Sequence, residues 1–326
     1  MRRRDLVLTL AATTVVGALV VLTLGALVLY RDDAGDDAPI VRSAPDRVPV
    51  LCYHYVRDPS GPLHFVRVFG YVVLSLPLLD DSELWKVNTG NFERQMEYLA
   101  ARGYRTVTLE DVHEWQHGRR ELPPQPVVIT FDDGDASVYY EAFPVLKRLG
   151  LRATMFVVTG RVGSRWGDVD CLDWTKLKEM QASGVFDIQS HTNDLHYKVT
   201  ARGETLPVFV AASTHGHTLP AAADWRGALL EDLTRSRDTI KLNTGRAPEF
   251  LAWPYGFGNP LVDQVAYEAG FVRTLALRAR AAGPLLPGGT NTDDTETFEI
   301  PRYTVTARTS LREFRAMLDG VYAPAN

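Results

Sequence analysis

The chain has 326 residues, 45% of them hydrophobic, and a formal net charge of −5. That suits one large α/β domain or two small ones, and the acidic balance gives no reason to expect nucleic acid as a partner. Two cysteines, Cys52 and Cys171, exclude a disulfide framework and a Cys-type zinc site; a single bridge between them stays open.

The chain opens MRRRD and then runs without a charge from Leu6 to Tyr30. Such a run is long enough to span a bilayer as a helix. It exceeds the apolar region of about 7–15 residues in a cleaved signal peptide. An uncleaved signal anchor is therefore expected over residues 1–30, with signal cleavage and secretion as the alternative. Arg2, Arg3 and Arg4 on one flank, against Asp32 and Asp33 on the other, put the bulk of the chain outside the cytoplasmic membrane. Residues 31–46 are rich in Asp, Ala and Pro and read as a tether. The folded domain is expected over 47–326.

A first strand is expected over 48–56, with His54 near its end. Residues 57–90 read as a long loop with a short strand in FGYVVLSL. A helix over 91–102 places Phe92, Met96 and Leu99 on one face, and Gly103 stops it. A strand over 104–109 and a short helix over 110–118 follow. Then VVITFDDGD runs from Val127 to Asp135. An apolar run that ends in two carboxylates and a glycine reads as a buried parallel strand delivering Asp132 and Asp133 at its C-terminal end, where α/β folds usually place chemistry. A strand followed by a solvated acidic turn is the bland alternative. Further helices are expected over 137–148, 174–183, 225–242 and 260–269. Strands are expected over 153–158, 185–190 and 250–253, and 197–223 reads as an irregular insertion. Strand–helix alternation of this kind predicts a parallel α/β architecture, a barrel.

Three predicted strand ends carry polar groups of complementary type: Asp132 and Asp133, then His191 and His196 in SHTNDLH, then Tyr255 in WPYG. Histidines five apart do not share a helix face, but on a turn after a strand they can converge. Histidine with carboxylate is a common first shell for a catalytic divalent metal. Either histidine alone is more simply a surface or capping residue.

TFDDG, SHTNDLH and WPYG, in this order and at strand ends, resemble the polysaccharide deacetylases of carbohydrate esterase family four. LCYH, NFERQMEYLAARGYRTVTLED, PVLKRLGLRATMFV and LDWTKLKEM extend the resemblance through most of 47–306. The histidine spacing and WPYG are similar to the narrower poly-β-1,6-N-acetylglucosamine deacetylases of exopolysaccharide systems, the PgaB and IcaB type. The resemblance implies a distorted (β/α) barrel and metal-dependent removal of N-acetyl groups from glucosamine residues. It implies Asp133, His191 and His196 as ligands of a divalent metal, foremost Zn2+. It implies Asp132 as general base, the backbone N–H of Tyr255 as an oxyanion donor, and His54 as general acid in place of the broad family's late histidine. The broad family's arginine before Pro-Tyr is missing; Leu251, Ala252 and Trp253 stand there, and Arg302 in IPRYTV could take over its pairing with the base.

Trp174 and Trp253 could stack on a sugar ring, with core packing the alternative for each. Asp173 could orient a catalytic histidine, with a helix N-cap as its stronger reading. The expected substrate is an N-acetylglucosamine exopolysaccharide. Peptidoglycan or chitin is the alternative, and a carbohydrate-binding protein on a decayed scaffold is a third reading that the intact acid and histidine set disfavours. A polymer synthase or export machinery is the expected neighbour in the membrane, and deacetylation alone the expected activity.

Overall fold

The computed structural model describes residues 47–58, 84–167, 169–216, 224–277 and 299–320. The expected anchor over 1–30, the tether over 31–46 and the strand in FGYVVLSL lie outside the described residues. Among the described residues no helix is long and apolar enough to cross a membrane.

Nine strands of the described residues form one sheet: β1 Val50–Tyr53, β2 Arg105–Thr106, β3 Pro126–Phe131, β4 Ala153–Val157, β5 Phe186–Ser190, β6 Phe250–Ala252, β7 Arg273–Ala276, β8 Glu299–Pro301 and β9 Tyr303–Thr304. Their order is β8-β7-β6-β5-β4-β3-β1-β9, with β2 beside β3, and the pairings are parallel. Arg302 alone separates β8 from β9. One short segment therefore pairs with β7 on one side, Thr274 opposite Glu299, and with β1 on the other, Leu51 opposite Tyr303. The two edges of the sheet meet there, and it becomes a nearly closed barrel.

Side chains alternate across the strands, as the pleat requires. Val50, Val128, Phe156, Ala252, Leu275 and Ile300 form an inner cluster with Val107, Leu109, Val112 and Leu122, which fill the end where the strands begin. Leu51, Tyr53, Val127, Ile129, Phe131, Met155, Val157 and Ile188 face outward under a layer of helices. That layer includes α1 Thr89–Ala101, α3 Phe143–Leu149, α4 Trp174–Ala182 and α8 Leu311–Leu318, while α2 Leu109–Gln116 supplies part of the filled end. A second outer cluster packs α5 Val208–His215, α6 Trp225–Thr244 and α7 Pro260–Glu268 over β6. A seven-residue helix such as α3 is too short to persist by propensity. Its buried Phe143 and Leu146 hold it, and full burial of such a side chain contributes about 1.5–3 kcal/mol.

The first strand departs from expectation by splitting at His54: Tyr55–Val56 leaves the barrel and pairs with Lys86–Val87 instead. The insertion over 197–223 is not irregular where described. Lys198–Ala201 and Glu204–Pro207 form an antiparallel hairpin around Arg202 and Gly203, both at positive φ (52° and 85°), and α5 follows. Pro207 reads as a breaker in sequence, but it stands at the N-cap of α5, where its missing N–H costs nothing.

Candidate active site

Asp132 continues the inward-facing phase of Val128 and Thr130 and is 1% exposed. By the same alternation Asp133 would swing outward. Instead it sits in the left-handed region, φ 70°, followed by Gly134 at 75°, and the chain turns back so that both carboxylates enter the barrel mouth. Gly134 suits the turn because its φ is one that L side chains rarely adopt, and a Cβ there, 3.2 Å from Val157 Cγ1, would also force that side chain to give. Of the five described non-glycine residues at positive φ, three are Asp133, Thr192 beside His191, and Tyr255. Conformations of this kind persist only where the surroundings over-determine them, and they concentrate at functional sites.

Asp133, His191 and His196 offer one ligand atom each within 4.8 Å of one another. Asp133 Oδ1 lies 3.6 Å from His191 Nε2 and 3.2 Å from His196 Nε2. The shorter approach lacks hydrogen-bond geometry, so Oδ1 is a buried oxygen with no hydrogen-bond partner among the described residues. The other oxygen accepts the Tyr55 hydroxyl at 2.7 Å. His191 Nδ1 donates to the Ala252 carbonyl at 2.7 Å, which leaves the Nε2 lone pair facing Asp133. Burial, against the nearby carboxylates, pushes His191 down to about 4, so it is neutral near pH 7. Burial also opposes ionisation of Asp133, but the imidazoles of His196, His54 and His191 outweigh it and hold the carboxyl well below the usual range. A buried carboxylate oxygen without a hydrogen-bond partner, facing two imidazole nitrogens, is a donor set that a divalent cation fits.

Asp132 belongs to a separate network. Arg302 Nη1 and Nη2 donate to its two oxygens at 2.7 and 2.8 Å, and Nη1 also reaches Thr130 Oγ1 at 3.2 Å. Burial raises the affinity of Asp132 for a proton, but the Arg302 guanidinium and the neighbouring imidazoles prevail and hold it ionised. The Cys52 thiol lies 3.6 Å from Asp132 Oδ2, and burial pushes its pKa well up. Cys52, His54 and Asp132 form a second cluster of possible ligand atoms, but both oxygens of Asp132 are taken by the guanidinium. Cys52 and Cys171 are both free.

His54 is 8% exposed at the break after β1, and burial lowers its pKa against the pull of Asp133 and Asp132. Its ring lies 4.5 Å from that of Trp85, tilted by 36°. His196 is packed edge-on by Trp166 at 4.6 Å and against Tyr255 at 4.5 Å, and Lys198 Nζ sits 4.5 Å from the Tyr255 ring. Burial, with Asp133 nearby, pushes the Tyr255 phenol up to about 12. Trp85 and Trp166 are the indoles at the mouth, and nothing in their local sequence marks them. Trp166 belongs to a two-stranded hairpin, Arg165–Trp166 with Val169–Asp170. The chain just beyond it is tied to the Asp133 turn through Leu172 N–H to the Gly134 carbonyl at 2.8 Å.

One sequence expectation needs correction. Trp253 is 0% exposed, stacks on Phe209 at 4.8 Å and donates to Asp263 at 2.7 Å, so it cannot meet a sugar. Trp174 is half-buried and packs against the outer core. Asp173 is the N-cap of α4, accepting the Lys176 amide at 2.9 Å.

The polysaccharide deacetylase family model matches residues 119–273. That span holds Asp132, Asp133, His191, His196 and Tyr255 but neither His54 nor Arg302. In fold, the chain is similar to IcaB from Ammonifex degensii, with a TM-score of 0.64 and 30% identity over 86% of this chain and 99% of that one. In sequence it is 26% identical over 254 residues to the poly-β-1,6-N-acetyl-D-glucosamine N-deacetylase of Staphylococcus aureus, covering 77% of this chain and 80% of that one. It is also 26% identical over 265 residues to the Escherichia coli protein of the same name, but spans only 38% of it.

Proposed function

We propose, from the premise that this chain belongs to the polysaccharide deacetylase family, that it hydrolyses N-acetyl groups of poly-β-1,6-N-acetylglucosamine with the help of a divalent metal, foremost zinc. The observation that carries the chemistry is the buried, unsatisfied Asp133 Oδ1 facing two imidazoles, beside an Asp132 held ionised by Arg302. What supports the β-1,6 polymer is the similarity to relatives that bear it in their names.

Asp133, His191 and His196 would hold the metal, three protein ligands with room left for water and substrate. Bound there, a divalent ion supplies Lewis-acid polarisation of the acetyl carbonyl and acidifies a water molecule. Asp132 takes one proton from the attacking water as oxygen bonds to the carbonyl carbon. Arg302 keeps that carboxylate charged and aimed. The Tyr255 backbone N–H, turned by its positive φ, donates to the carbonyl oxygen as negative charge develops. His54, in its protonated form, gives a proton to the departing glucosamine nitrogen as the C–N bond breaks; acetate is released, the proton held by Asp132 passes to solvent and His54 takes one back. Trp85 and Trp166 offer apolar walls on which sugar rings can stack.

The deciding experiment is acetate release by the full-length protein from a β-1,6-linked N-acetylglucosamine oligomer, with and without a chelator, beside a β-1,4-linked chitin oligomer. Chelator-sensitive release from the first alone is expected. Release only from the second would keep the mechanism and overturn the substrate. No release with zinc bound would turn attention to peptidoglycan. The proposal extends to location: residues 1–30 would anchor the chain with its catalytic domain outside the cytoplasmic membrane, near a polymer synthase or exporter. Recovery of the chain in the cytosolic fraction would overturn that part.

A further inference from the structure

The turn that carries both imidazoles is gripped from two sides by groups outside the site. On α6, Asp232 Oδ1 accepts the Asn193 N–H and Oδ2 accepts the Asp194 N–H, each at 2.9 Å. A second hold comes from the 3-10 turn Thr159–Arg161 that follows β4. The Gly160 N–H donates to the Asn193 carbonyl at 2.9 Å, and the Thr159 N–H to the Thr192 carbonyl at 3.1 Å. A Cβ on Gly160 would stand 2.7 Å from the Asn193 oxygen, so the approach needs glycine. Asn193 is thus pinned through both its N–H and its C=O, midway between the two histidines.

The histidines do not depend on this grip equally. His191 is fixed independently, through its Nδ1 on the Ala252 carbonyl. His196 Nδ1 is buried with no hydrogen-bond partner among the described residues. A ligating histidine usually has its second nitrogen anchored, and loss of such anchoring weakens metal binding. Ring packing by Trp166 and Tyr255 can restrain the plane of His196, but it does not set where the backbone presents it.

We propose that Asp232 is a positioning residue of the metal centre. Its carboxylate, clamped on two successive N–H groups, sets where the turn presents His196 to Asp133. This rests on reading Asp133, His191 and His196 as a metal site. It goes beyond that reading by placing control of the site on a helix that contributes no ligand. Replacement by asparagine keeps the size but turns an amide NH2 toward one of the two N–H groups, so one bond is lost.

The test compares full-length wild type with Asp232→Asn and Asp232→Ala. The readouts are the zinc Kd by competition with a chromophoric chelator, the visible spectrum of the Co2+-loaded protein, and the Tm of the metal-free protein. For Asp232→Asn the expected result is zinc binding weakened about 10–100-fold, an altered Co2+ spectrum, and a metal-free Tm close to wild type. Excess zinc should restore the Asn variant. Should Asp232→Ala fail to fold, the Asn variant decides. Zinc affinity of Asp232→Asn within twofold of wild type overturns the proposal, and so does a loss of affinity matched by a general loss of fold. A wild-type chain that binds no zinc overturns both this and the metal reading. A chain whose zinc affinity depends on Asp232 but which releases no acetate supports the positioning role and sinks only the deacetylase activity.

Discussion

Arg302 reaches Asp132 with both terminal nitrogens, at 2.7 and 2.8 Å, from the one residue that separates β8 from β9. The segment that closes the barrel is therefore also the one that charges the base. Breaking a buried pair by deleting one partner leaves an uncompensated charge and costs about 3–5 kcal/mol, so Arg302→Ala should be poorly folded. Arg302→Lys is the informative change. It keeps a cation but loses the fork that fits both oxygens. Because Arg302 holds the Asp132 pKa down, weakening the pair lets it rise. The acid limb of kcat/KM should then move to higher pH, with kcat down about 10–100-fold. An unmoved acid limb would show that Asp132 is not the titrating base.

Much of this site was legible because it is strand-borne. VVITF followed by two acids places carboxylates at a barrel mouth by alternation and burial alone. That Asp133 joins Asp132 depends on its own left-handed backbone, which Gly134 only hints at. Trp85 and Trp166 were not legible, since what makes them site residues is which turn is tied to which strand. Trp253, read as a candidate sugar platform, stands next to Pro254 and Tyr255 at a strand end, but alternation along β6 sends its ring outward under α5 and α7. Arg302 entered only as a candidate stand-in for the arginine that the resemblance showed to be missing, because its position at the seam of the barrel is a property of closure rather than of local pattern.

Tyr55 and Asp133 make a narrower case. The Tyr55 hydroxyl occupies Asp133 Oδ2 at 2.7 Å and leaves Oδ1 to the imidazole side. Tyr55→Phe removes that donor with almost no change of shape, at a stability cost of about 1.5–3 kcal/mol for a hydrogen bond to a charged group. Freed of it, the carboxylate can rotate away from the geometry the imidazoles need. Zinc affinity should fall about tenfold while the fold persists, read by chelator competition and Tm. Unchanged affinity would reduce the hydroxyl to a packing contact.

Trp166 and Trp253 should separate cleanly. Trp253→Ala empties a fully buried volume and removes the indole N–H that Asp263 accepts alongside the Thr274 hydroxyl. A loss of about 3–5 kcal/mol in stability is expected. Trp166→Ala removes a partly exposed ring beside His196 and should leave stability within about 1 kcal/mol. Its cost should fall on substrate, with KM for a polymer raised several-fold and kcat little changed. Equal effects of the two on Tm, measured by thermal unfolding, would place Trp166 in the core instead.

His191 sets a pH dependence for the metal-free protein. Its folded pKa is about 4, below the ordinary histidine value of about 6.5. Between those values the unfolded chain binds a proton that the native one excludes. Stability from this group is therefore present above about pH 6.5 and is lost as pH falls toward 4. Asp232 acts in the opposite sense over much of the same window. Burial pushes its carboxyl up to about 6, so its contribution is present at low pH and fades as pH rises toward 6. Wild-type Tm alone would blend the two. The difference between wild type and His191→Asn, both stripped of metal, isolates the histidine. The variant should lose less stability than wild type on moving from pH 7 to pH 5, by on the order of 1–2 kcal/mol. Parallel curves would mean that His191 takes up its proton in the folded state near the ordinary histidine value, and that burial does not hold it neutral.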